Sequence, residues 1–191
     1  MTVTDSSTAL SYGRALRKLY FTRFAFAILW VGIVFATSAS ASEPSALLTT
    51  LLVLYPLFDA AAVLWQLRAD PDKERPKAAE WTNVVASAAV AVALGVVSSI
   101  SVAGAVAVWG LWAIVAGVPQ FVAAIRNRRS GGQVAQMLSG GISVLAGAAF
   151  LFQGLQGGGM ISGPAGYAGV GAVFFLISAI RLSAKPKAQA A

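Results

Sequence analysis

The chain has 191 residues, of which 58% are hydrophobic and 11% are charged. Soluble globular domains carry about 25% charged residues, so this composition excludes an ordinary soluble domain and predicts a surface that largely faces lipid. Cysteine and histidine are both absent, which excludes disulfides, thiol chemistry, most zinc and haem sites, and the commonest general base. We therefore expect no metal, no cofactor and no enzymatic activity.

Long uncharged stretches predict an all-α membrane protein. Residues 81–125 and 130–180 contain no charged side chain. Each stretch is too long for one span of about 20 residues and fits two, with breaks near 98–104 and 154–164. The predicted helices are 20–39, 45–67, 81–99, 103–125, 133–154 and 163–182.

These helices divide the chain into three parts. Residues 1–19 form a polar and basic N-terminal segment, residues 20–182 form the six-helix transmembrane domain, and residues 183–191 form a C-terminal tail. Helix ends resemble one another in "VLWQLR" (63–68), "FVAAIR" (121–126) and "FLISAIR" (175–181). The repetition favours three helical hairpins, with rows of small residues marking the contact faces.

The basic residues predict the orientation of the protein. The 14 Lys and Arg residues fall in four groups, all on one side of a six-span chain. The groups are Arg14, Arg17, Lys18 and Arg23; Arg68, Lys73, Arg75 and Lys77; Arg126, Arg128 and Arg129; and Arg181, Lys185 and Lys187. By the positive-inside rule, both termini are predicted to be cytoplasmic. The net charge of +7 then reflects topology and contact with the lipid bilayer, and no nucleic-acid partner is expected.

The first span has a competing interpretation. The basic residues 14–23, the apolar run "FAFAILWVGIVFA" and the small residues Ala39 and Ala41 are also the pattern of a secretory signal peptide. The basic leader is long for a signal peptide, which favours an uncleaved span.

Three segments together resemble a known group of bacterial membrane proteins. They are "YPLFDAAAVL" (55–64), "GGQVAQMLSGGISVLAGAAF" (131–150) and "YAGVGAVFFLISAIRL" (167–182). They are similar to the HdeD-like short-repeat family, in which a helical hairpin recurs along the chain. The resemblance implies a six-helix protein of the bacterial cytoplasmic membrane with an association with acid resistance. It implies no site residues.

One carboxylate lies inside a predicted span and marks a candidate site. Asp59 is nine residues from Arg68, or about 14 Å along a helix, and charged groups at this depth are costly and are functional candidates. Polar residues at similar depth form its candidate cluster: Arg23, Tyr55, Asn83, Gln120, Gln136 and Ser139. Pro56 and Pro119 are predicted to kink their helices.

Three interpretations of Asp59 remain open at this point. In the first, Asp59 pairs with Arg23 or forms a hydrogen bond with Asn83 or Gln120, and it fixes the register of the helices. In the second, it lines a cavity that opens to the cytoplasm and binds a proton, a cation or an amine. In the third, it contacts a lipid headgroup. The first predicts a stress-associated structural or interaction protein, in contact with its own copies or another membrane protein. The second predicts a small channel or transporter.

Overall fold

The computed structural model describes residues 3–74, 76–126 and 134–184. These residues form six α-helices and no strand. The helices are α1 (Val3–Thr37), α2 (Ala46–Ala69), α3 (Ala78–Val97), α4 (Val102–Arg126), α5 (Val134–Leu155) and α6 (Ser162–Ala184). All six are long and apolar enough to cross a membrane. The prediction of an all-α, six-span protein is therefore confirmed.

Helix α1 differs most from its predicted bounds. It begins at Val3, so the polar segment assigned to residues 1–19 continues the first spanning helix. No proline interrupts residues 3–19, and backbone hydrogen bonding carries the helix past the point where hydrophobicity ends. Hydrophobicity located the span correctly but marked the wrong place for the start of the helix.

Five of the basic residues that predict the orientation lie outside the described residues. They are Arg75, Arg128, Arg129, Lys185 and Lys187.

The six helices form a ring in chain order. Each helix contacts the next one, and α6 returns to contact α1. The hairpins predicted from the repeat are therefore present as neighbouring helices. The most extensive contacts, however, join α4 to α5, α1 to α6 and α2 to α3. Each helix therefore makes a more extensive contact with a helix of an adjacent hairpin than with the other helix of its own hairpin.

Close backbone packing explains why α4 and α5 make the largest contact. Gly110 and Gly117 of α4 face Gly147 and Gly140 of α5, in reverse order along the two helices. A Cβ on Gly110 would lie 2.6 Å from the Gly147 carbonyl oxygen, and one on Gly154 would lie 2.5 Å from the Ala103 carbonyl oxygen. These glycines are seven residues apart, so they return to one helix face every two turns. Lipid provides no hydrophobic force that drives helices together, so the van der Waals contacts made at this close approach hold α4 against α5.

The interior of the ring changes character along its length. In the half away from the basic helix ends, the core is apolar and includes Val34, Leu48, Leu94, Val106 and Ile161. Apolar side chains also cover much of the outer surface, among them Leu29, Val92, Ile100, Leu145 and Leu155. A bundle that is apolar outside and polar inside at one end is suited to a bilayer. The polar interior lies in the other half.

Candidate functional site

A cavity of about 320 Å³ occupies the polar half of the ring. All six helices line it, and the lining reaches from Trp112 and Tyr167 near mid-helix to Gln136 and Arg181 near the helix ends. A space of this size is large enough to hold several water molecules. The size lies at the lower end of the range for small-molecule sites.

Asp59 lies in the wall of this cavity with both carboxylate oxygens engaged. The guanidinium of Arg23 donates to Oδ1. The Asn83 side-chain amide donates to Oδ2 at 2.8 Å and the Ser87 hydroxyl donates to Oδ2 at 3.0 Å. The carboxylate of α2 is thus held by α1 on one side and α3 on the other. Charge pairing and three hydrogen bonds offset the cost of placing it in a membrane.

Ser87 extends this network to α4. Its hydroxyl is fully buried and accepts a hydrogen bond from Trp112 Nε1 at 3.1 Å while donating to Asp59. The chain of bonds from Arg23 through Asp59 and Ser87 to Trp112 therefore connects four consecutive helices. A comparable bond joins the other two, since the hydroxyls of Ser143 and Tyr167 lie 2.7 Å apart.

Arg23 is held in place by α6 as well as by α2. Its guanidinium carbon lies 4.3 Å from the ring centre of Phe175, in the range of a cation–π contact. A guanidinium has five N–H donors, and Asp59 is the only acceptor that the described residues provide to it. Arg23 therefore keeps N–H groups available on the side of the cavity.

Aromatic rings close the cavity toward the apolar half. Tyr55 contacts Trp30, Trp109 and Trp112, with ring centres 4.7, 5.4 and 6.0 Å apart. Trp30 Nε1 donates to the Leu51 carbonyl at 2.7 Å. The neighbouring Leu52 carbonyl is the one that Pro56 leaves without its backbone donor, because proline has no N–H. The cluster separates the polar cavity from the apolar core.

The structure places all seven candidate residues of the sequence analysis along this one cavity. Asp59 bonds directly to Arg23 and Asn83. Tyr55, Gln120, Gln136 and Ser139 line the cavity without a hydrogen bond to Asp59 among the described residues. Pro56 and Pro119 lie inside α2 and α4, which continue as helices through both positions, so the kinks stay predictions. That the cluster binds a ligand also stays a prediction.

Several contributors to the site were not predicted from the sequence. Ser87 and Trp112 were not among the candidate residues, and Arg181 was assigned only to a basic group. Ser87 could have been predicted from the sequence, because it lies one helical turn from Asn83 and therefore on the same face of the helix. For Trp112 and Arg181 the partner helix had to be known first.

Comparisons of the chain with protein-family models, with curated proteins and with solved structures found no match. The resemblance to the HdeD-like family therefore stays an expectation.

Proposed function

We propose that the protein binds a small polar solute in the central cavity and carries or conducts it across the membrane. The observation that supports this most directly is the cavity lined by all six helices, with the Arg23–Asp59 pair in its wall. A structural bundle in lipid gains nothing from such a space, because a dry, packed interior has more van der Waals contacts. Polar groups in its wall, with the unpaired N–H donors of Arg23 among them, instead fit water or a solute.

The two halves of the ring fit one state of a transport cycle. The polar half reaches the helix ends that carry the basic residues, whereas the aromatic cluster and the apolar core close the other half. Transporters commonly hold the solute near the middle of the membrane and open to one side at a time. With both termini in the cytoplasm, as the basic residues predict, this state faces the cytoplasm of a bacterial cell.

Cysteine labelling tests the proposal, because the native chain contains no cysteine and single cysteines give an unambiguous signal. Ala116 lines the cavity on α4, and Ala105 on the same helix is 1% exposed within the apolar core. We expect Ala116→Cys in intact cells or oriented vesicles to react with a membrane-impermeant thiol reagent from the side of the basic helix ends. Ala105→Cys is the matched control and should stay unreactive in this state.

The same measurement reports the orientation. Reaction of Ala116→Cys from the cytoplasmic side agrees with the predicted topology, and reaction from the outside would reverse it. If Ala116→Cys is as unreactive as Ala105→Cys from both sides, no water reaches the cavity and the proposal is wrong.

A second candidate is a structural or interaction protein of the membrane, associated with stress as the resemblance implies. The observation in its favour is the Asp59 network, which joins α1, α2 and α3 whether or not a solute binds. This candidate predicts an inaccessible cavity and no solute binding, so the labelling experiment separates the two.

A further inference from the structure

We propose that the solute is a small organic anion, a carboxylate with a flat apolar body, and that Arg23 is the residue that binds its charge. This inference rests on the proposed function, since it names the class of solute for the same cavity. The class of solute follows from the hydrogen bonds that Asp59 already accepts, the N–H groups that Arg23 keeps free, the net charge of the cavity and the side chains in its wall.

Asp59 is poorly suited to bind a cation or an amine. Its two oxygens already accept three hydrogen bonds, and the Arg23 guanidinium neutralises its charge. A cation that entered the cavity would have to displace Arg23 or share the carboxylate with it. Either course places two positive charges side by side.

Arg23 is suited to bind an anion. Asp59 engages one of its nitrogens, while Phe175 packs against the guanidinium in a cation–π contact. The remaining N–H groups form a rigid fork that matches the geometry of a carboxylate. The charge is therefore held in position before any solute arrives, which lowers the cost of binding.

The charge of the whole cavity has the same sign. The ionisable residues that carry charge in its lining are Arg23, Arg181 and Asp59, which gives a formal charge of +1. Arg181 lies at the end that approaches the basic helix termini, and it forms no ion pair with any residue that the structure describes. A positive group at the entrance attracts anions and repels cations.

The walls of the cavity favour a flat apolar body. Tyr20, Tyr55, Trp112, Tyr167, Phe174 and Phe175 all line it. Aromatic rings in the wall offer stacking and edge contacts to a planar ligand, and the Tyr20 ring already stacks on Phe175 at 6.4 Å. An aromatic carboxylate can contact the aromatic side chains with its ring and Arg23 with its charged group.

Three ligands with one ring and different charges test the inference. Benzoate, benzamide and benzylamine share the aromatic ring and carry a negative, neutral and positive group. We expect benzoate to raise the Tm of the purified full-length protein in nanodiscs and to change its tryptophan fluorescence. Its Kd should be at least tenfold lower than that of benzamide, and benzylamine should give no saturable change.

Variants locate the charge that binds. Arg181→Gln, at an exposed position, should weaken benzoate binding several-fold and leave the Tm of the unliganded protein unchanged. Asp59→Asn releases Arg23 from its partner and should strengthen benzoate binding. The double variant Arg23→Gln with Asp59→Asn carries no uncompensated charge at the pair and should weaken benzoate binding at least tenfold.

A kinetic measurement adds a readout that needs no ligand. Ser139 lines the cavity on α5. We expect Ser139→Cys to react at least several-fold faster with an anionic sulfonatoethyl thiol reagent than with its cationic trimethylammonium analogue, after correction for their rates with free thiol. Arg181→Gln in the same background should reduce this ratio.

The outcomes distinguish the inference from the proposed function. Saturable benzylamine binding that is lost in Asp59→Asn, or faster reaction with the cationic reagent, would overturn the anion assignment while the cavity remains a solute site. Binding of none of the three ligands would also overturn it. Failure of the proposed function is a different result, namely an Ala116→Cys that no reagent reaches.

Discussion

Arg23 of α1 and Asp59 of α2 form an ion pair inside the predicted membrane span, with side chains that are 11% and 14% exposed. Both residues also line the cavity. The pair is the one expected from the first interpretation of Asp59, and it also lies in a cavity, as the second interpretation required; binding of a proton, cation or amine there stays a prediction. The pair fixes α1 against α2, and it also presents a charged group to a polar space.

The ion pair predicts coupling between two substitutions. Asp59→Asn leaves Arg23 without a counter-charge, and Arg23→Gln leaves Asp59 with only Asn83 and Ser87 as donors. We expect each to destabilise the protein, and the double variant to lose less than the sum of the two, with a coupling of about 1–3 kcal/mol. Reversible unfolding of the four proteins in detergent measures it. Strictly additive effects would contradict direct pairing.

Ser87 offers a test of the network behind the pair. Ser87→Ala removes a donor to Asp59 and leaves the buried Trp112 N–H without its acceptor, so it should destabilise by about 1–3 kcal/mol. Ser178→Ala is the matched control, because the Ser178 hydroxyl lines the cavity but bonds only to the Phe174 carbonyl of its own helix. It should stay within about 0.5 kcal/mol of the native protein. Equal effects of the two substitutions would contradict the network.

Two stacked tryptophans differ in one hydrogen bond. Trp30 and Trp109 are both almost fully buried and lie 5.4 Å apart, but Trp30 Nε1 donates to Leu51 whereas Trp109 Nε1 has no partner among the described residues. Phenylalanine removes the N–H and part of the ring in both cases. We expect Trp30→Phe to cost about 1 kcal/mol more than Trp109→Phe. A larger loss at Trp109 would show that its N–H has a partner after all, such as a bound water.

The glycine contact between α4 and α5 predicts a large effect from a single methyl group. A Cβ on Gly110 would lie 2.4 Å from the Leu151 nitrogen, so Gly110→Ala must push the helices apart and should cost about 1–3 kcal/mol. A Cβ on Gly169 of α6 would meet nothing within 4 Å. Gly169→Ala should therefore be neutral or stabilise by up to about 1 kcal/mol through helix propensity. Thermal unfolding in detergent compares the pair.

Hydrophobicity and charge were enough to predict the six helices, because a span must be apolar and about 20 residues long. They also predicted which polar residues share a depth, since charged groups in a span must turn inward. The helices that lie side by side could not be predicted in this way. Lipid is as apolar as leucine, so lateral packing depends on small residues, and those are abundant in every helix here. The seven-residue spacing of Gly140, Gly147 and Gly154 was present in the sequence, but four-residue rows were equally visible.

The contact between the first and the last helix has a consequence for biosynthesis. Translation delivers α1 first and α6 last, and helices associate laterally only after they are inserted. Arg23 can pair with Asp59 as soon as α2 is inserted. Phe175, whose ring packs against the guanidinium, is inserted only with the last span, α6. A chain that stops before Ser162 thus keeps the Arg23–Asp59 pair but lacks the α6 ring that packs against the guanidinium, so the last span completes the surroundings of a residue in the first.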